Sequence, residues 1–193
     1  KMVKGTEVVI GKDPEYDRTK ISISFQRVPL IAKYKKTSVP YIEQYLDEAV
    51  SSLLLSRLQS GIVQQNLPIT NVSIGVGEFM GMENLESFEI SFETLPETVY
   101  SAISFMSGEI NRIARTGFNQ QEFRTRRDNH FKELEFIYDN RFNQPNTLFM
   151  KRVKDNYLKG YSLASIEMHF EIMKEVLFSD QLRLDRLNQY ATA

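Results

Sequence analysis

The stretch that decides the fold is residues 67–123, which read LPITNVSIGVGEFMGMENLESFEISFETLPETVYSAISFMSGEINRIARTGFNQQEF. Apolar residues alternate with small or polar ones in two successive runs, one around Ile74 and one around Ile90. A period of two is typical of antiparallel strands that have one buried and one polar face. The two runs therefore predict a pair of strands whose buried side chains are Val72, Ile74, Val76, Phe88, Ile90 and Phe92.

Two helix starts follow the predicted strands. Residues 94–97 (TLPE) have the form of a capping box with proline in the first turn, and residues 119–122 (NQQE) repeat it with asparagine as the cap. These signals predict helices over residues 97–116 and 120–138, joined at residues 117–119.

Three segments before residue 67 carry further signals. Residues 7–10 predict a short strand, and residues 39–65 predict a long helix with one broad apolar stripe. Residues 20–26 predict a strand whose apolar face is made of Ile21, Ile23 and Phe25 and whose polar face is made of Ser22, Ser24 and Gln26.

The last third of the chain is predicted to be helical. Helices are expected over residues 148–159, 166–178 and 180–190, with Gly160 ending the first and Ser179 capping the last. Strands and helices come in separate runs rather than in a regular βαβ alternation. The sequence therefore predicts an α+β fold: one antiparallel sheet of about four or more strands, with helices packed on one face.

Composition narrows the classes of function. The chain has 193 residues, a length that suits one domain, and a net charge of -1, which argues against nucleic acid as a partner. It contains no cysteine, so disulfides and thiolate metal sites are excluded. No apolar run approaches the ~20 residues that a membrane span needs. The chain opens on lysine rather than methionine, which is expected either for a segment of a longer protein or for a processed terminus.

Few residues are available for catalysis. The two histidines are His130 and His169. A zinc-peptidase helix needs two histidines one turn apart, and Leu134 stands where a partner of His130 would have to be. Both histidines are predicted to be packed in the structure. We therefore predict no catalytic, cofactor-binding or metal-binding residue in this segment.

Two other features of the hairpin also have an ordinary explanation. Gly75 and Gly77 lie inside a predicted strand, which argues against a phosphate loop and predicts a bulge or a close backbone approach. Glu89 and Glu93 share the polar strand face with Ser91. These carboxylates are predicted to be solvated or to lie at an interface.

The chain resembles the pitrilysin/insulinase family of zinc metallopeptidases. The similar pieces occur in order along nearly the whole chain: residues 13–15 with 18–21, the strands at 68–79 and 88–92, the helix junction at 117–123, the helix end at 157–160, and residues 179–180. The resemblance implies a mitochondrial-processing-peptidase-like metallohydrolase fold. It also implies that residues 1–193 form a single α+β domain, the second in a longer, multi-domain, bacterial-type peptidase.

The resemblance implies a role without chemistry of its own. The family's catalytic domain carries an inverted His-x-x-Glu-His on its first long helix, whereas residues 39–65 contain no histidine. We therefore expect a non-catalytic domain that packs on the catalytic and other domains of the parent chain and helps to wall a peptide-binding chamber. Zinc is implied for the catalytic domain alone, and a periplasmic or cell-envelope location is implied. The alternative is an inactive structural or protein-interaction module of the same fold.

The polar sheet face is the candidate contact surface for peptide substrate. Its members would face the chamber under the first hypothesis, and they would simply be solvated under the alternative. The candidate chamber-facing residues are Ser22, Ser24, Ser73, Glu89, Ser91 and Glu93.

Overall fold

The computed structural model describes residues 5–11, 13, 15–180 and 182–192, with the side chain of Glu83 left out; Pro14 of the 13–15 turn lies outside these residues. The chain divides into two compact units. Unit 1 holds the described residues up to Pro29 together with Ser51–Thr116, and unit 2 holds Leu30–Val50 together with the described residues from Gly117 onward. That residues 1–193 form a single domain stays a prediction.

Unit 1 contains a three-stranded antiparallel sheet. Its strands are β1 (Thr19–Arg27), β2 (Thr70–Phe79) and β3 (Met82–Thr94), in the order β1-β3-β2. The three longer predicted strands are thus confirmed. The prediction of about four or more strands is wrong for the described residues, because residues 7–10 lie outside the sheet with Val8, Val9 and Ile10 exposed by 78%, 92% and 81%.

The apolar face of the sheet is centred on β3. Ile90 and Phe92 are 1% and 0% exposed, because β1 and β2 flank β3 on both sides. Apolar residues predicted on this face are half-buried elsewhere on the sheet, namely Ile21, Ile23, Val72, Ile74, Val76 and Phe88. Phe25, which was also predicted to be buried, is 47% exposed, because it lies near the end of the edge strand β1.

Two helical segments belong to unit 1. The second half of α1 (Val39–Gln64) buries Leu54 and Leu58, and α2 (Val99–Thr116) buries Ala102, Met106 and Ile113. The predicted long helix and the predicted 97–116 helix are confirmed. Ile90 and Phe92 on the apolar face of β3 are buried, whereas Ser22, Ser24 and Ser73 on the polar face of the flanking strands are exposed. On β3 itself the polar-face serines Ser87 and Ser91 are buried, at 4% and 9% exposure. The difference between the two faces of β1 and β2 is typical of an antiparallel sheet with one face turned to a core.

The predicted capping box at residues 94–97 is wrong. Thr94 is the last residue of β3, is fully buried, and donates its hydroxyl to the carbonyl oxygen of Pro68 at 3.2 Å. A short 3₁₀ turn over Pro96–Thr98 precedes α2, and its cap residue Leu95 has no side-chain oxygen to offer. The threonine thus joins strand to loop instead of starting the helix.

Unit 2 is helical. After the first half of α1 come four helices, α3 (Gln120–Asp139), α4 (Asn146–Lys159), α5 (Ile166–Phe178) and α6 (Leu184–Thr192). The helices predicted over residues 120–138, 148–159 and 166–178 are confirmed by α3, α4 and α5. Gly160 ends α4 in the left-handed conformation, as predicted. The 180–190 prediction is wrong at its start, because the hydroxyl and amide of Ser179 both bond the carbonyl of Val176 and so end α5.

Residues 117–119 form the junction before α3, and the contacts of each residue are specific to its side chain or backbone. Asn119 forms the predicted capping box with Glu122. Gly117 has φ +66°, and a Cβ at this position would lie 2.5 Å from Cγ of Asn188. That asparagine bonds both the amide and the carbonyl of Phe118, at 2.7 Å and 3.2 Å. Only glycine satisfies both the backbone angle and the close approach.

No helix in the described part of the chain has the length and apolarity that crossing a bilayer requires.

The sheet supplies a matched pair for a stability test. Phe92 and Phe25 share one face, but only Phe92 is fully buried. We expect Phe92→Ala to lower the free energy of unfolding by about 3–5 kcal/mol through lost burial and a residual cavity. Phe25→Ala should cost about 1 kcal/mol or less. Urea unfolding of the 193-residue chain measures both, and equal losses would contradict the assignment of buried and exposed ends.

Candidate functional site

The polar face of the sheet aligns small and acidic side chains in rows across the three strands. The register places Ser22 opposite Ser91 and Ser91 opposite Ser73. The next row is Ser24, Glu89 and Gly75, with the glutamate in the middle. The structure therefore brings together on one face the residues that the alternation predicted, Glu93 included.

A directed hydrogen-bond chain runs across this face. Ser91 Oγ donates to Glu89 Oε1 at 2.8 Å and lies 2.7 Å from Ser22 Oγ. Because a hydroxyl has one proton, Ser91 accepts from Ser22 while it donates to Glu89. Ser24 Oγ lies 3.5 Å from the other oxygen, Glu89 Oε2. The serine hydroxyls thus hold the Glu89 carboxylate in place in the middle of the sheet.

The second carboxylate is held at the strand end. Asn71 donates its side-chain amide to Glu93 Oε2 at 2.8 Å. Asn71 has φ +51° and lies where the β2–β3 register shifts, so a local irregularity aims its side chain along the sheet. Lys20 on β1 is opposite Glu93 in the register. The negative charge of Glu93 therefore has a cation in its row, whereas the row of Glu89 holds only Ser24 and Gly75.

Two glycines leave space above this face. A Cβ built on Gly75 or Gly77 would have no other atom within 4 Å, and both residues pair regularly with β3, opposite Glu89 and Ser87. The prediction that these glycines permit a bulge or a close backbone approach is therefore wrong. Their effect is to keep the surface beside Glu89 low and open.

Unit 2 contains a second cluster of titratable groups. His130 Nδ1 lies 3.6 Å from Glu48 Oε2 and 3.6 Å from Glu133 Oε2, and the ring packs edge-on against Tyr45. Arg126 Nη1 lies 3.2 Å from Glu133 Oε1. Burial lowers the pKa of His130 in spite of the two carboxylates, and burial raises the pKa of Tyr45 to about 12. The predicted packing of His130 is confirmed.

The cluster does not fit a zinc ion. The Arg126 guanidinium already contacts both carboxylates, with its Nη2 4.0 Å from Glu48 Oε2, so a cation occupies the position of complementary charge. Among the described residues, no group of three or more potential ligands has metal-binding geometry. The residues present therefore do not fit the zinc that the resemblance implies for a catalytic domain.

Only part of this arrangement was visible in the sequence. The alternation predicted which residues share the polar sheet face. The Asn71–Glu93 bond was missed, because its donor lies at a shift in the β2–β3 register that no sequence pattern marks. The Tyr45–His130 cluster was also missed, because its members come from α1 and α3. Glu48 and Arg126 lie on the helix faces next to the apolar stripes, which is the one signal that could have indicated it.

Comparisons with known proteins agree with the fold. No family model matches the chain, and no curated protein matches it. Among solved structures, the periplasmic protease PqqL from Escherichia coli is similar over 92% of this chain with a TM-score of 0.76 at 16% identity. A predicted insulinase family protease from Yersinia pestis is similar over 90% of this chain, with a TM-score of 0.71 at 14% identity. The chain thus has a fold that insulinase-type protease chains contain, as the resemblance implied.

The matched chains are much longer than this one. The similarity covers 19% of PqqL and 36% of the Yersinia chain. The first half of PqqL, solved separately, is similar over 89% of this chain and 35% of its own length, with a TM-score of 0.72 at 15% identity. The fold is therefore that of one part of such a protease, and that part occurs within the first half of PqqL.

The second histidine yields a pH test. His169 is partly buried in unit 2, its ring 4.9 Å from that of Tyr41. Burial, with Arg152 nearby, lowers its pKa from 6.5 to about 4. NMR titration should show the His169 ring protonating near pH 4, with its signal assigned by comparison with His169→Gln. A midpoint near 6.5 would contradict the described packing.

The same shift predicts a loss of stability in acid. Because the folded-state pKa lies below the unfolded value, the unfolded chain binds the extra proton. The contribution of His169 is fully present above pH 6.5 and is lost as the pH falls towards 4. His169→Gln should remove this pH-dependent part, on the order of 3 kcal/mol. Urea unfolding of both proteins across that range measures it.

Proposed function

We propose that the chain is a non-catalytic domain of a longer zinc-dependent endopeptidase, and that it forms part of the wall around the peptide substrate. The proposal is supported by the fold shared with insulinase-type protease chains and by the small share of those chains that it covers. It is also supported by the absence of a ligand group for zinc among the described residues. Zinc would belong to another domain of the parent, in which catalysis takes place.

The observation that carries the proposal is the organised polar face of the sheet. Small side chains and two glycines leave this face low, so an extended peptide can approach the backbone level without displacing long side chains. The Ser22–Ser91–Glu89 chain fixes the carboxylate in advance, so little rotamer entropy is lost on contact. A face that is only solvated would need neither the low surface nor the pre-positioned carboxylate.

The charge on this face indicates which peptides it favours. Glu89 and Glu93 bring negative charge to the wall, so basic segments should be attracted and acidic ones repelled. Glu89 should have the larger effect, because Lys20 offsets Glu93 in its row while serine and glycine flank Glu89. The peptide preference therefore depends mainly on one carboxylate.

The cell compartment is part of the proposal. PqqL, which has the same fold over this region, is described as a periplasmic protease. From that likeness we propose a periplasmic or cell-envelope location for the parent of this chain. The competing proposal, an inactive structural module of the same fold, differs in one respect: its sheet face would not influence peptide selectivity.

Charge reversal of Glu89 in the full-length parent tests the function. Glu89→Lys should shift the ratio of kcat/KM for basic against acidic peptides by about three- to tenfold towards acidic ones, the size expected for a charge near a protein surface. Glu93→Lys should shift it less. Peptide pairs that differ only in charge, assayed at low ionic strength, measure the ratio.

Two controls separate charge from shape and from fold. Glu89→Gln removes the charge but keeps an oxygen that accepts from Ser91, so it should give a smaller shift in the same direction. Glu175→Lys changes an exposed carboxylate on α5 and should leave the ratio unchanged. If Glu89→Lys also leaves the ratio unchanged while the protein stays folded, the structural-module alternative is favoured and the wall proposal is wrong.

A further inference from the structure

Helix α4 exposes an apolar stripe on its outer surface. No residue of α4 is buried, and its partly buried residues Leu148, Arg152 and Asp155 recur on one side of the helix. A second set of side chains, namely Phe149, Met150, Val153 and Tyr157, lies on a different side of the helix and forms the outer stripe. The exposed fractions of this outer stripe are 42% for Phe149, 66% for Met150, 48% for Val153 and 85% for Tyr157.

An open groove continues the outer stripe. Phe149 and Val153 line it from α4, and Phe142, Leu163 and Ile166 line it from the flanking segments of unit 2, around a volume of about 490 Å³. Phe142 is 85% exposed and Leu163 is 55% exposed. Continuous exposed apolar surface of this kind is typical of sites that bind another protein surface.

The groove and helix α4 together carry more positive than negative side chains. Arg141, Arg152 and Glu167 line the groove. Arg141 Nε lies 3.1 Å from Glu167 Oε1, and Arg152 donates to the carbonyl oxygen of Ala164 at 3.4 Å. The sequence of α4 contains one acidic residue, Asp155, and four cationic residues, namely Lys151, Arg152, Lys154 and Lys159. Complementary charge at an interface border selects the partner, so the partner should be acidic.

We propose that the outer stripe of α4 and its groove dock an apolar, acid-flanked element from another domain of the same parent chain. The inference rests on the proposed function, because that function places this chain beside further domains. The chain covers only 19% of PqqL and 36% of the Yersinia protease chain, so such chains have most of their length available to supply the partner. Docking would remove Tyr157, Val153 and Phe142 from water.

Two tyrosines of nearly equal exposure give a matched test. Tyr157 on α4 is 85% exposed and Tyr100 on α2 is 87% exposed. Two single variants of the full-length parent are made, Tyr157→Cys and Tyr100→Cys. The rate at which each introduced cysteine is alkylated is measured by mass spectrometry of the peptide that contains it. Docking should slow alkylation at position 157 by about tenfold or more relative to position 100, because an interface core excludes water and reagent. A ratio below about tenfold would overturn the proposal.

Two further arms test the identity of the partner. A hundredfold dilution of the parent should leave the protection of position 157 unchanged, since domains of one chain are not separated by dilution; loss of protection would mean a second copy and would overturn the proposal. Lys151→Glu with Lys154→Glu should restore at least half of the alkylation rate. Unchanged protection in that variant would overturn the acidic character of the partner.

The labelling result is independent of peptide selectivity. Alkylation is read without any peptide, whereas the wall proposal is read from kcat/KM in the Glu89 variants. Protection of position 157 with unchanged selectivity supports docking and rejects the wall. Altered selectivity with an accessible position 157 supports the wall and rejects docking.

Discussion

The period-two alternation of β3 is the constraint on which the rest of unit 1 depends. As the central strand, β3 is paired on both sides, so each of its residues is committed to one face or the other. Ile90 and Phe92 face the core and are fully buried, while Glu89 and Ser91 face the opposite way and form the hydrogen-bond chain. A shift of the register by one residue would bury the carboxylate and expose the phenylalanine. The core and the candidate site are therefore specified by the same strand.

The same strand also positions the candidate site on the polar face of the sheet. The sheet provides a rigid backbone on which Glu89 is positioned by its neighbours rather than by burial, and so the carboxylate stays accessible to a ligand. The titratable groups of unit 2 form a separate, packed cluster. In the Tyr45–His130 cluster, Arg126 contacts both carboxylates, Glu48 and Glu133, and so partly offsets their charge beside the packed rings of α1 and α3.

Much of the fold could be predicted from the sequence, because strand alternation and helix caps are local signals. The long helix, the three main strands and the Asn119 capping box all depend on residues close together in the chain. The predictions that were wrong concerned residues whose contacts are made with partners distant in the sequence. Thr94 bonds Pro68 instead of capping a helix, and Phe25 is exposed because its strand lies at the sheet edge. Residues 7–10 have the composition of a strand but lie outside the sheet. The Ser22–Ser91 bond likewise needed the register.

The claim that the polar sheet face meets the peptide is tested most directly by photo-crosslinking in the full-length parent. A photoreactive residue replaces exposed Ser73, in the row of Ser91, and a control parent carries it at Glu175 on α5. A labelled, uncleavable peptide is then bound, irradiated and mapped by mass spectrometry. The peptide should crosslink at position 73 and not at position 175, and excess unlabelled peptide should abolish the crosslink. Equal labelling at both positions, or labelling that competition does not reduce, would contradict a sheet face that walls the peptide site.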